Sequence, residues 1–197
     1  MANDVVSRIR RQVFRVTRKR RMKAFSKWAK LTEATTVLDV GGTEDNWVFV
    51  PVMPRVSLLN VTPTQTSLPQ IVGDGSHLPF IDNAFDIVFS NSVIEHVPNH
   101  ETFAKEIQRV GRRYFVQTPN KAFPFEPHVL TPLVNYLPKR WQKKVFRNFT
   151  LWGLLSRPDQ LYVNNLVDEI SLLNPVEMKS LFPDGSVSSG RSLIARM

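Results

Sequence analysis

Five short runs rich in Val, Ile, Leu, Phe and Tyr punctuate residues 36–117, and each stops at small or polar residues. Thr36–Val40 ends at Gly41-Gly42, Val56–Asn60 at its own Asn, and Gln70–Val72 at Gly73-Asp74-Gly75. Phe85–Ser90 runs into Asn91, and Tyr114–Gln117 into Thr118-Pro119. Strands that are apolar throughout, rather than alternating, belong in a sheet covered on both faces, and a helical pattern over His100–Arg109 separates the fourth run from the fifth. The order predicts an α/β fold with a doubly wound, mostly parallel sheet. A helix near Asn174–Leu181 and two closing strands, near Gly185–Ser189 and Ser192–Ala195, complete the expected order.

Ligands of open parallel sheets bind outside the carboxyl ends of the strands, so the residues just past each run are the ones to weigh. Asp39 can receive an ammonium, and Gly41 and Gly42 let backbone N–H groups approach a ligand closely. Asn60 can bond ribose hydroxyls. Asp74 suits an exocyclic adenine amine, and Ser90 and Asn91 end the fourth run. Polar residues at four consecutive strand ends favour a nucleoside-bearing cofactor. Taken singly, each residue is explained as readily by a turn or a cap.

The chain carries a net charge of +9, unevenly spread. Residues 1–30 hold eleven Lys or Arg against one acid, Asp4, a net +10 that leaves the remaining 167 residues at −1. Attraction to anionic partners therefore belongs to this leader and not to the body of the fold. Val5, Ile9, Val13 and Val16 recur at helical spacing, a basic break follows at Arg18–Arg21, and Met22, Phe25, Trp28 and Leu31 resume the pattern. Two units are expected: a basic amphipathic helical leader over 1–34 and a single domain over 35–197. The leader can pack on its own domain or touch an anionic membrane; contact with nucleic acid lacks a supporting signature. No apolar run approaches the 18 to 20 or so residues that span a bilayer. The chain has no Cys, which removes disulfides, thiolate catalysis and Cys-ligated zinc. No metal site is expected, and the cytoplasm, with peripheral membrane contact, is the expected location.

The order VLDVGG, LLN, GDGSHLPF, FDIVFSNSVIEHV and YFVQTPN resembles the class I S-adenosylmethionine-dependent methyltransferases, specifically the small type 11 domains, from about Thr36 onward. That resemblance implies a Rossmann-like, seven-stranded sheet and S-adenosyl-L-methionine as cofactor. It places Asp39 and Gly41 along the methionine part, Asn60 at the ribose and Asp74 at the adenine amine. Gly75 and Ser76 would line the ring, with Ser90 and Asn91 beneath the sulfonium. Gly42 falls in the same glycine turn. Thr43 and Asp45 stand where the family's pattern has further glycines, and Asn60 stands where it has a carboxylate.

Transfer of a methyl from a sulfonium needs mainly alignment; a base is needed only where the acceptor has a proton to lose. His128, His96 and Glu126 are the leading candidates for that base, with His100 and Glu95 behind them. Pro124 and Pro127 would restrain the loop carrying Glu126 and His128. Lys139–Phe149 is a second basic, aromatic segment that could form, with the leader, a rim attracting a phosphorylated, glycosylated or lipid-linked acceptor at a membrane surface; the expected function is methyl transfer to a small-molecule, glycan or lipid-linked acceptor. The competing function is a non-catalytic binding module on the same fold, with a basic leader for membrane or nucleic acid.

Overall fold

The computed structural model describes residues 2–123, 125–126, 131–132, 136–150, 153–154 and 157–197, with side chains from Arg15 onward outside the 124–135 stretch. Its centre is a seven-stranded sheet of β1 (Thr36–Val40), β2 (Arg55–Asn60), β3 (Gln70–Val72), β4 (Phe85–Asn91), β5 (Gly111–Pro119), β8 (Ser186–Ser189) and β9 (Ser192–Arg196), in the order β3-β2-β1-β4-β5-β9-β8. The first five strands pair in parallel; β9 runs antiparallel to both β5 and β8. The chain order reverses between β1 and β4, so the switch point lies there. β6 (Phe125–Glu126) and β7 (Thr131–Pro132) form a separate two-stranded ribbon.

One face of the sheet is covered as a doubly wound fold predicts. α2 (His100–Val110) begins where Asn99 accepts a capping bond from the Thr102 N–H, and it buries Phe103, Ala104, Ile107 and Val110 against Leu38, Val88 and Tyr114. α5 (Pro175–Leu181), started by a full Asn174–Glu177 capping box, adds Met178 to the same core.

The other face departs from the expected alternation. The crossover from β1 to β2 holds only a 3-10 turn, Glu44–Phe49, and those from β2 to β3 and from β3 to β4 hold no helix. The N-terminal helix α1 (Ala2–Ala29) takes over this face: Met22, Phe25 and Ala29 pack with Trp47 on Val37, Leu58, Ile87, Phe89 and Phe115. The Phe25 ring lies 4.7 Å from that of Phe89 and 5.2 Å from that of Phe115. The basic run Arg18–Arg21 does not interrupt the helix, because Arg and Lys are good helix formers. Residues 22–29 of the 1–34 segment therefore help build the domain core.

α1 runs antiparallel to the neighbouring strands. At its carboxyl end, the Arg113 guanidinium stacks 4.2 Å over the Trp28 ring and donates to the Trp28 and Ala29 carbonyls, which neutralises the helix terminus beside the start of β5. About three turns earlier, Arg18 donates to Asp45 at 3.0 Å, beyond the end of β1. The remaining helices, α3 (Lys139–Phe149) and α4 (Gln160–Glu169), pair around a small core of Phe146, Val163 and Val167.

Candidate functional site

The carboxyl ends of β1, β4 and β5 gather buried polar atoms that have no hydrogen-bond partner: Asp39 Oδ1, Ser90 Oγ, Asn91 Oδ1 and Gln117 Oε1. A buried unpaired acceptor costs on the order of 1–3 kcal/mol, so four such atoms in adjacent strand ends mark a place built for something else. Register sorts them by face. Asp39 lies beside Phe89, and Asn91 beside Gln117, on the α1 side; Ser90 lies beside Val40 on the α2 side.

Asp39 is fully buried. Trp47 Nε1 donates to its Oδ2 at 2.9 Å, which leaves Oδ1 open. Burial pushes its carboxyl up to about 7, against the opposing pull of Trp47 and of the buried Asn46. The glycines around it are sterically required. Gly41 has φ +73° and faces the Val93 side chain, while a Cβ on Gly42 would land on the Asp39 carboxylate. Asn60 Nδ2 donates to the Gly42 carbonyl at 3.1 Å, so this side chain steadies the glycine turn and its Oδ1 is what it can offer a hydroxyl. Glu44 tightens the same region by accepting from Thr66 and Ser67, which hold its carboxyl below the usual range.

Asp74 heads the turn after β3. The Ser76 N–H donates to its Oδ1 at 2.8 Å, and this bond, assisted by His77, keeps its pKa low; the side chain is more than half exposed and ready to accept from a ligand. Gly75 presses against Phe103 and Val40, where a Cβ would come within 2.6 Å of the Phe103 ring. Ser76 is buried beside it. The turn is thereby seated on α2 and β1, and Arg109, which bonds Glu106, Asp82 and the Leu78 and Phe80 carbonyls, holds the following segment without a helix.

At the end of β4, Ser92 adopts a left-handed conformation, φ +57°, and turns the chain into the 3-10 segment Ile94–His96. This turn buries Glu95 completely, where Thr118 Oγ1 donates to its Oε2 at 2.9 Å, and leaves His96 exposed. Of the two neighbours in the Glu-His pair, the carboxylate faces inward and the imidazole outward. Glu126 lies in β6 with its side chain outside the described residues, and His128 is outside them altogether. Gln117 and Trp47 are the site groups that the sequence reading passed over. Strand position could have flagged Gln117; nothing local to Trp47 announces its bond to a residue eight positions earlier.

The donor set suits the expected cofactor: an unfilled carboxylate oxygen, a glycine turn with no room for a Cβ, and acceptors at successive strand ends. Comparison with known proteins agrees. Residues 52–114 match the family model of a methyltransferase domain, a segment that begins after the 3-10 turn and leaves Asp39 and the glycine turn outside it. An uncharacterized methyltransferase of Mycobacterium sp. (strain KMS) is 33% identical over 99 residues, 43% of this chain and 39% of the relative; a counterpart in strain MCS matches equally. The chain thus spans about two fifths of the length of these relatives. Among solved structures, a SAM-dependent methyltransferase from Aquifex aeolicus superposes with a TM-score of 0.54 at 14% identity, covering 89% of this chain and 88% of that one. A candidate S-adenosyl-L-methionine-dependent methyltransferase from Methanococcus maripaludis gives 0.57 at 13%, covering 99% and 90%. Residues 52–114 are thus similar to a methyltransferase domain, and the chain as a whole shares the fold of the solved methyltransferases on which it superposes.

Proposed function

We propose that this chain binds S-adenosyl-L-methionine across the ends of β1 to β4 and transfers its methyl group to a small-molecule, glycan or lipid-linked acceptor. The observation that carries the reading is the buried, unfilled Asp39 Oδ1 beneath the Gly41-Gly42 turn, a place for the cofactor's ammonium. Asn60 would take a ribose hydroxyl, Asp74 with Gly75 and Ser76 the adenine, and Ser90 and Asn91 the region of the sulfonium. The cofactor supplies a methyl already activated on sulfur, so the protein's work is to orient it and exclude water. A hydroxyl acceptor would give its proton to a base among His96, Glu126 and His128; an amine acceptor would not need one in the transfer step.

Titration of the protein with S-adenosylhomocysteine tests the reading. Micromolar binding that is lost in Asp39→Asn supports it, and millimolar or absent binding supports the non-catalytic module instead.

A specific feature favours membrane contact as part of this function. Lys19, Lys23 and Lys27, one helical turn apart along α1, line an open groove of about 480 Å³ with Val48, Phe49, Val50 and Pro51. Val48, Val52 and Met53 are exposed beside it. Ammonium groups alongside exposed aliphatic side chains suit the headgroup region of an anionic bilayer. No described helix is long and apolar enough to cross a membrane. Co-sedimentation with vesicles containing phosphatidylglycerol, lost when the three lysines become Glu and absent with phosphatidylcholine alone, is the expected result. Association that survives the substitutions places the contact elsewhere.

A further inference from the structure

α1 contributes more than packing to the strand ends. Phe25 sits against Phe89 and Phe115, and Asn91 and Gln117 follow those residues by two positions on the same face of the sheet. Arg21 precedes Phe25 by four positions on an antiparallel helix. One helical turn rises about 5.4 Å, and two strand residues advance about 6.6 Å, so the spacing brings Arg21 to the level of Asn91 and Gln117 along the sheet. Its electrostatics agree, since the guanidinium feels the field of Glu95, whose carboxylate is anchored to Thr118 at the end of β5. Arg18, its neighbour on the helix, is already paired with Asp45.

Arg21 has no such partner. Its Nε is buried without a hydrogen bond, and among the described residues no carboxylate forms an ion pair with it. Burial and the adjacent Arg18 both work against its charge. Arg21 is half-buried, with its Nε shielded from solvent beside unfilled polar atoms, and the planar fork of a guanidinium matches a carboxylate or phosphate.

We propose that Arg21 is the recognition residue of an oxyanion subsite at the ends of β4 and β5, opening beside the Asp39 carboxylate. Its occupant is a carboxylate or phosphate, carried either by the methionine end of the donor or by the acceptor. The inference rests on the methyltransferase reading only for the first of these sources. It makes the basic leader part of the site, as the element that brings a positive charge over strand ends whose own side chains there are acceptors.

The test compares the protein with Arg21→Met, which keeps the length of the side chain and removes the charge, and with Arg15→Met as a control on an exposed Arg. The probes are sulfate, read by its shift in Tm, S-adenosylhomocysteine, and 5′-methylthioadenosine, which lacks the amino-acid end. Sulfate is expected to raise the Tm of the protein and of Arg15→Met, and not that of Arg21→Met. If the donor supplies the anion, Arg21→Met weakens S-adenosylhomocysteine about tenfold, spares methylthioadenosine, and S-adenosylhomocysteine abolishes the sulfate effect. If the acceptor supplies it, donor affinity is unchanged and sulfate still binds the loaded protein. A folded Arg21→Met that keeps both its sulfate shift and its affinity for S-adenosylhomocysteine overturns the proposal. Failure of the normal protein to bind S-adenosylhomocysteine would instead refute the donor reading, and the sulfate comparison would still decide the role of Arg21.

Discussion

Trp47 donates its indole N–H to Asp39 Oδ2 at 2.9 Å, and both residues are buried. The bond fixes which carboxylate oxygen is committed to the protein and which is open, and it places any proton of the neutral form on Oδ1, where a cofactor ammonium would sit. Because burial has raised the carboxyl to about 7, ligand and proton compete for one atom near neutral pH. Affinity for S-adenosylhomocysteine should therefore fall about tenfold between pH 8 and pH 6, as the ionised fraction of a group with that pKa does. Calorimetric titration across this range measures it. Asp39→Asn should bind weakly with a flat profile, and a flat profile in the unaltered protein would remove Asp39 from the ligand set.

The same shift predicts the stability of the free protein. The carboxyl's value rises from 3.8 unfolded to about 7 folded, so the folded state binds the proton more tightly. The stability that Asp39 contributes is complete below about pH 4 and is lost as pH rises through 7. The unfolding free energy from urea titrations should fall across that window, by roughly 4 kcal/mol in total, and the fall should be missing in Asp39→Asn. Saturating S-adenosylhomocysteine should reduce it, since the ligand's ammonium compensates the bared charge.

Gly42→Ala tests the turn sterically. The new Cβ has no space that the Asp39 carboxylate does not already fill. Displacing that carboxylate breaks its bond to Trp47, with an expected loss of about 1–3 kcal/mol in urea denaturation and loss of donor binding. Gly190→Ala, where a Cβ would meet nothing within 4 Å, is the control and should stay within about 0.5 kcal/mol.

The sheet was legible in the sequence because its central strands are apolar on both faces and its turns carry Gly, Asp and Asn. Thr36–Val40, Phe85–Asn91 and the helix from His100 lie almost where periodicity puts them. The positions of Asp39, Gly41 and Asp74 followed from strand ends alone. The rest was not legible, because it depends on contacts distant in sequence. Trp47 reads as an ordinary apolar residue until the chain folds it back on Asp39; the spacing of Met22 and Phe25 shows that α1 has an apolar face able to pack on its own domain, but not which strands receive it. Glu95 and His96 are adjacent in sequence, and only the left-handed turn at Ser92 decides that the carboxylate is the buried one. The departures at Thr43 and Asp45 have a structural counterpart: a 3-10 turn carrying Trp47 in place of a first crossover helix, which is also where the family match begins to fail.

The role of α1 in the core gives the last prediction. Phe25 contacts Trp28, Trp47, Phe89 and Phe115, with ring centroids 4.7 to 6.1 Å apart, and no helix in the crossovers between β1 and β4 can take its place. Phe25→Ala should cost about 3–5 kcal/mol, the range for a fully buried ring, with the loss of near-UV dichroism expected when an aromatic cluster loosens. Val16→Ser, on the same helix but nearly half exposed, should change stability by less than about 0.5 kcal/mol. A free appendage would show the same small effect at both positions, whereas an integral layer of the fold shows the contrast. Since Phe25 also sets where Arg21 stands, Phe25→Ala should weaken the sulfate-dependent rise in Tm even at temperatures where the variant is still folded.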